Sequence, residues 1–370
     1  MSTVWFPAPI GGKIDNDDFA PSILFAVLYG LLLPLVAYRM LHRRSRTLLL
    51  LGSAIFAIER IVVFSLRARQ ARRESISRGL TTYMQLSFGT GFLGLANDLV
   101  NLLRCLLINP TYGSDKWPEA PGARTNDDEV DPTDSSANDT NAESDYQHLY
   151  PSEDTLSMKL LQHSMPPPPP GTPDKKKLRD DVRGWCGLCA LGFLLGATVT
   201  SILASTWFSR GYDNQKRANE VQIFRYVSTG IMLALSGLMT YYGAVWGYTK
   251  LPRVNRMGCV VFMVLISLTS IVGVYRLTVM RLRTDSLQVP GPLSTAWAKT
   301  AFYVFHIVPE WLFILILFSV NTRRIFGTGP WGDYRGKDET EKQRQKREAK
   351  EAKRRQKRME RNKQPQQQVA

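Results

Sequence analysis

Histidine and cysteine are scarce in this chain, with four of each among 370 residues. His42, His148 and His163 fall in loops or at helix ends, which leaves His306 alone inside an apolar stretch. A hydrolytic zinc centre built from three imidazoles cannot be assembled from that set, so no metal is expected. Cys105, Cys186, Cys189 and Cys259 all lie inside or at the ends of apolar stretches, so no disulfide framework is implied. Cys186-Gly-Leu-Cys189 has a redox or zinc spacing. Lacking a second pair, it reads as small packing residues or as an acylation site. Gly-rich phosphate loops and nucleophile elbows are absent, so no cofactor and no enzymatic activity are expected. Residues 1–18 have no basic n-region, and the first apolar run is too long for a signal peptide core, so no cleavable signal is expected.

What the chain does have is long apolar runs, hidden by its averages. With 44% hydrophobic residues and a mean hydropathy of −0.16, the whole chain reads like a soluble protein. The apolar residues are gathered in seven blocks, at about 19–40, 47–67, 81–108, 184–208, 223–248, 257–280 and 296–320. Crossing a hydrocarbon core of about 30 Å takes roughly 20 apolar residues as a helix. The expected fold is therefore all-α, a polytopic membrane bundle of about seven helices. Residues 1–18 would be an extracellular or luminal N-terminus, 19–108 helices 1–3, 109–182 a cytoplasmic loop, 183–320 helices 4–7, and 321–370 a cytoplasmic tail. Small residues punctuate the blocks: Gly192 and Gly196 in the fourth, and Ser87, Gly91 and Gly94 along one face of the third. That spacing lets helix backbones approach closely in lipid. Pro34 and Pro309 predict kinks.

The net charge of +15 is distributed unevenly. The connection 109–174 holds 13 acidic and three basic residues, and it ends near the run Pro166–Pro170. Such a composition buries too little apolar surface to offset its ordering entropy, so disorder is expected, with 115–170 removable. The five prolines predict a polyproline II segment, either a ligand for an SH3, WW or profilin-like domain or a stiff spacer. The tail 321–370 carries 16 Lys/Arg and seven Asp/Glu. Arg323, Arg324 and Trp331 are placed against anionic inner-leaflet headgroups, ahead of a basic solvated helix. A membrane role accounts for that charge, so nucleic-acid binding is not expected. The basic tail and acidic N-terminus favour an outside N-terminus, although Arg67, Arg69, Arg72, Arg73 and Arg78 run against it. The sequon at Asn138 then lies inside and unused.

Ionisable residues at membrane depth are costly and are candidates for function. Glu59 and Arg60 sit mid-way along the second block, and Asn97, Asp98 and Asn101 lie in the third. His306 and Glu310 are one turn apart beside Pro309, while Arg276 lies nearer an interface. Glu59, Asp98, His306 and Glu310 are the candidate ligand- or ion-binding set, with Arg60 and Asn101 as structural partners. Arg60 could neutralise Asp98 or Glu310. Asp98, on the small-residue face of its helix, is assigned to it, which leaves Glu310 for function. Lys299, at the outer end of the last block, excludes a mid-helix retinal Schiff base. Asn101-Leu-Leu-Arg104 and Val308-Pro309-Glu310-Trp311 occupy the places of the rhodopsin-like Asp-Arg-Tyr and Asn-Pro-x-x-Tyr motifs, and neither motif is present.

In its span number and in inward charges such as Glu59, Arg60 and Glu310, the helical part resembles fungal seven-helix membrane proteins of unassigned role, including, distantly, the lipid-translocating exporter-like family linked to aminocholesterol resistance. It departs from that family after the last block, where Asn321-Thr322-Arg323 replaces His-Pro-Gly. The resemblance is architectural, and no site residues are carried over from it. The expected function is that of a non-enzymatic receptor or lipid-handling protein with a polar intramembrane site. Two alternatives are a proton- or ion-coupled transporter using Glu59, Asp98 and Glu310, and a scaffold acting through loop and tail.

Overall fold

The computed structural model describes residues 4–42, 44–73, 77–114, 165–329, 332–333 and 349. The compact unit, Met1–Tyr334, is a bundle of seven long helices: α1 (Asn16–Leu41), α2 (Leu48–Ala71), α3 (Arg78–Thr111), α4 (Lys176–Thr206), α5 (Gln215–Lys250), α6 (Arg256–Val279) and α7 (Ala296–Ser319). Each is long and apolar enough to cross a membrane, and the chain is a multi-pass membrane protein. A short α8 (Thr322–Phe326) follows. The second unit, Arg335–Ala370, lies outside the described residues apart from Ala349. So do Trp331, Asn138 and the acidic stretch 115–164.

Helix starts obey the usual capping chemistry. Ser77, Asn214, Asn255, Thr295 and Asn321 each accept a backbone N–H of the first turn, at α3, α5, α6, α7 and α8. Asp15 and Asp18 form a reciprocal capping box at α1. Two helices begin well before their apolar blocks. α4 starts at Lys176 rather than 184, and α5 at Gln215 rather than 223. Their first turns carry Lys176, Lys177, Arg179, Lys216 and Arg217, which hydropathy cannot distinguish from loop.

Sequential helices are neighbours, and α1 also packs on α7, which closes the ring; α3 crosses the middle against α6. α3 is the most buried span, with 72% of its apolar window inside. α1, α2, α4 and α6 instead expose Leu31, Ile55, Leu194 and Val260, an apolar exterior suited to lipid. The small-residue faces admit close neighbours at three glycines but not at Gly94, where a Cβ would meet nothing within 4 Å. Gly192 and Gly196 meet Leu235 and Ile231 of α5, and Gly91 receives Phe56 and Arg60 of α2. Three π-helical turns, Gly192–Thr198, Tyr241–Trp246 and Tyr303–Ile307, interrupt α4, α5 and α7. The last precedes Pro309, whose missing N–H breaks the regular hydrogen-bond ladder.

Both ends of the bundle are covered. At the N-terminal end, residues 4–14 form a strap. β1 (Phe6–Pro7) pairs antiparallel with β2 (Arg283–Thr284), Ala8 N–H donates to Leu282 O, and both backbone groups of Ile10 bond the Gln85 amide. Gly12 adopts φ +66°, and a Cβ there would stand 2.2 Å from Leu293 O, so only glycine fits the crossing.

At the opposite end, the loop between α3 and α4 is ordered where it meets the bundle. Ser114 N–H donates to Thr172 O, Arg179 pairs with Asp174 at 2.5 Å, and Arg253 donates to the carbonyls of Tyr112 and Pro166. Met165 and Pro168 are buried. Residues 109–114 and 165–174 lie in the stretch expected to be disordered, and 165–170 in the part expected to be removable; both expectations are corrected, because Met165 and the Arg179 and Arg253 contacts hold these loop ends down. Met165→Ala should lower the unfolding free energy in detergent by about 2 kcal/mol, the cost of a core methionine cavity. A variant as stable as wild type would mean that this anchor does not hold.

Candidate functional site

Glu59 and Arg60 are consecutive on α2, so their side chains leave the helix about 100° apart. Arg60 turns inward and is fully buried, whereas Glu59 turns toward the surface, with its side chain 29% exposed. Arg60 reaches α7: its Nε donates to Glu310 Oε2 at 3.0 Å and its Nη2 to Glu310 Oε1 at 3.1 Å, a bidentate pair. Nη1 donates to Ser87 Oγ at 2.6 Å and to Glu59 Oε2 at 3.2 Å. The rings of Phe56 and Phe88 lie 4.3 and 5.1 Å from the guanidinium carbon. His306 Nε2 stands 3.4 Å from Glu310 Oε1, too poorly aligned for a hydrogen bond.

This geometry reverses one sequence assignment. Arg60's partner is Glu310, not Asp98, because the side chain crosses the α3 face at Gly91 and Ser87 and reaches α7. With both oxygens on Arg60 and His306 alongside, Glu310 has the surroundings of a structural counter-ion. Asn101 is likewise not part of the charge cluster; among the described residues its amide reaches only Asn97 O of its own helix, at 3.5 Å. Arg323 is not at a headgroup surface but fully buried at the C-terminal end, while Arg324 is exposed. Cys186 and Cys189 are buried and unbridged, which removes the acylation option.

Asp98 occupies a different environment. Its Oδ2 accepts from Ser53 N–H at 3.1 Å and Ser53 Oγ at 2.5 Å. No cation lies within ion-pair distance of it among the described residues. It borders a groove of about 390 Å³ between α2 and α3, also lined by Glu59, Tyr83, Thr90, Gly91, Gly94 and Asn97. Tyr83 OH donates to Glu59 Oε1 at 3.3 Å. Ser53, which holds Asp98, and Glu59 are six residues apart on α2, so the two acidic positions are spaced by roughly 9 Å along the groove. Of the four candidate residues, Glu59 and Asp98 thus share one open groove, while His306 and Glu310 share the buried cluster with Arg60.

Sequence reasoning missed a second set of buried charges. At the N-terminal end Asp18 is buried between Arg67 (2.7 Å) and Lys299 (2.9 Å), and Tyr303 OH donates to it at 3.0 Å. Farther round the bundle, Arg225 and Arg276 are both buried. Arg276 does lie near a helix end, as expected, and is buried there, donating to Phe88 O of α3. The signal for these residues was their presence inside or beside apolar blocks. Their partners, on the strap and in the first turns of helices, could not be paired from one sequence.

No protein-family model, no curated protein and no solved structure matches this chain.

Proposed function

We propose that this seven-helix protein binds an amphiphile from the bilayer in the groove between α2 and α3, and that Glu59 and Asp98 hold its polar head. The observation carrying this reading is Asp98, a buried carboxylate without a cationic partner among the described residues, on the wall of a groove open to the apolar exterior. A charge kept there uncompensated is expensive, and an incoming cation or hydrogen-bond donor would offset that cost. The floor supports the same reading. A Cβ at Gly94 would touch nothing within 4 Å, so the helix leaves space where an acyl chain or ring could lie. The ligand class is an amphiphile with a cationic or donor-bearing head and a slender apolar body, bound rather than chemically altered. Lipid handling is also among the roles expected from the sequence. Transport coupled through Glu310 is less favoured, because both of its oxygens are occupied by Arg60.

Native mass spectrometry of the protein released from its membrane, with lipid identification, tests this. Gly94→Leu fills the groove without entering the core, and it should reduce bound amphiphile by about tenfold or more. Glu59→Gln should weaken retention of cationic heads by about tenfold, the value of one charge-assisted hydrogen bond. Co-purified lipid that is unchanged in both variants would overturn the assignment.

A further inference from the structure

A second polar cavity lies on a different face of α3 from the groove, enclosed by α3, α4, α5 and α6. It has a volume of about 10 Å³, the space of about one water, and is lined by Gln85, Ser201, Ser205, Phe208, Arg225 and Arg276. Both arginines are more than nine-tenths buried. Arg225 Nη1 donates to Ala8 O of the strap at 3.2 Å, and Arg276 Nη1 donates to Phe88 O at 2.8 Å. Arg225 Nη2 and Arg276 Nε have no hydrogen-bond partner among the described residues. The cavity lining contains no carboxylate, and no acid lies within ion-pair distance of either guanidinium among the described residues.

The rest of the lining cannot neutralise them. Both polar ends of Gln85 are bound to Ile10, and the Ser205 hydroxyl donates to Ser201 O at 2.9 Å. Ser201 Oγ faces Gly89, where a Cβ would come within 2.7 Å of it. Arginine does not shed its proton in proteins, so burial leaves two like charges facing one cavity. Two uncompensated cations in a low dielectric are strongly unfavourable. One small anion between them offsets both desolvation and mutual repulsion. The space suits a monatomic ion and is too small for phosphate, sulfate or a carboxylate ligand.

We propose that the cavity bounded by Arg225, Arg276 and Ser201 is a halide site, occupied by chloride, which ties α5 and α6 to the N-terminal strap through Ala8.

The full-length protein in detergent, free of chloride and at fixed ionic strength, is titrated with chloride against gluconate, which cannot enter. The expected result is a saturable rise in Tm of about 4 °C, reproduced by bromide. Saturable binding of radioactive chloride should approach one ion per chain. Ser201→Val keeps both arginines and fills the cavity, so it should abolish the binding and the chloride-specific rise together. Arg225→Met with Arg276→Met should do the same, and the paired removal leaves neither cation orphaned. A wild-type Tm that follows ionic strength regardless of the anion would overturn the proposal. Radioactive chloride binding that persists unchanged in Ser201→Val would also overturn it.

Discussion

Glu310→Gln is expected to destabilise the bundle by about 3 kcal/mol, and adding Arg60→Met should recover most of that loss. Arg60 is fully buried, and its two strongest acidic contacts are the parallel bonds to Glu310 at 3.0 and 3.1 Å. Replacing the carboxylate by an amide leaves the guanidinium with Glu59, 3.2 Å away and part-exposed, and with Ser87. That residual pairing keeps the loss near the lower end of the range for an orphaned buried charge. Arg60→Met removes the charge and places an apolar chain between Phe56 and Phe88, which already flank the site. Asp98→Asn provides the contrast. Asp98 neutralises no cation, and an Asn oxygen can still accept from Ser53, so its stability should stay within about 1 kcal/mol of wild type. Equilibrium unfolding in detergent measures all three variants against wild type. If Asp98→Asn proves the more damaging single change, the roles drawn here for α3 and α7 are wrong.

A single sequence carries local constraints plainly and the pairing of distant side chains hardly at all. The seven spans were legible because each needs about 20 apolar residues in a row, a constraint set by the bilayer and written locally. The depth of Glu59, Arg60 and Glu310 was legible for the same reason, since depth follows from position along a span. Pairing was not legible. Whether Arg60 meets Asp98 or Glu310 depends on helix rotation and on which helices adjoin. The glycines of α3 suggested one answer, while the packing of α2 and α7 gives another. Gly91 does receive Arg60, with a Cβ position only 2.6 Å from its Nη2, yet the side chain passes over this glycine on its way to α7. A close-packed face can be a passage for a side chain rather than its destination.

The strap was illegible for a different reason. Residues 4–14 contain neither a long apolar run nor a helical period, and their burial comes from partners far along the chain, such as Gln85, Arg225 and Leu282. Arg276 stood out in an apolar block, but Arg225 sits at the margin of one, where a basic residue reads as interface. Only tertiary structure brings the two to one cavity. In the same way, Met165 and Asp174 fell in a polar, Pro-rich stretch whose composition outweighed their individual contacts.

Asp18→Asn should be as damaging as any charge removal in the bundle, at about 3–5 kcal/mol, because one carboxylate there serves two cations. Its Oδ1 accepts from Arg67 at 2.7 Å and from Tyr303 OH at 3.0 Å, and its Oδ2 lies 2.9 Å from Lys299. Asp15 also contacts Lys299 but is more than one-third exposed, so it replaces little of the lost charge. Adding Arg67→Met should rescue less than Arg60→Met does in the central cluster. Lys299 would remain buried and only partly paired, and Arg67's bond to Gly11 O at 2.8 Å, which holds the strap, would also be lost. The local consequence distinguishes this site from a general loss of stability. The Ile10 amide, bonded to Gln85 Oε1 at 3.0 Å, reports whether the strap is seated. In Asp18→Asn its hydrogen exchange should accelerate by far more than that of Leu99 in α3. Gly12→Ala, which forces a side chain against Leu293 O at a positive φ, should release the same segment while leaving the charges intact. If Ile10 and Leu99 accelerate together in both variants, the strap unfolds only with the whole bundle, and Asp18 is a global rather than a local clasp.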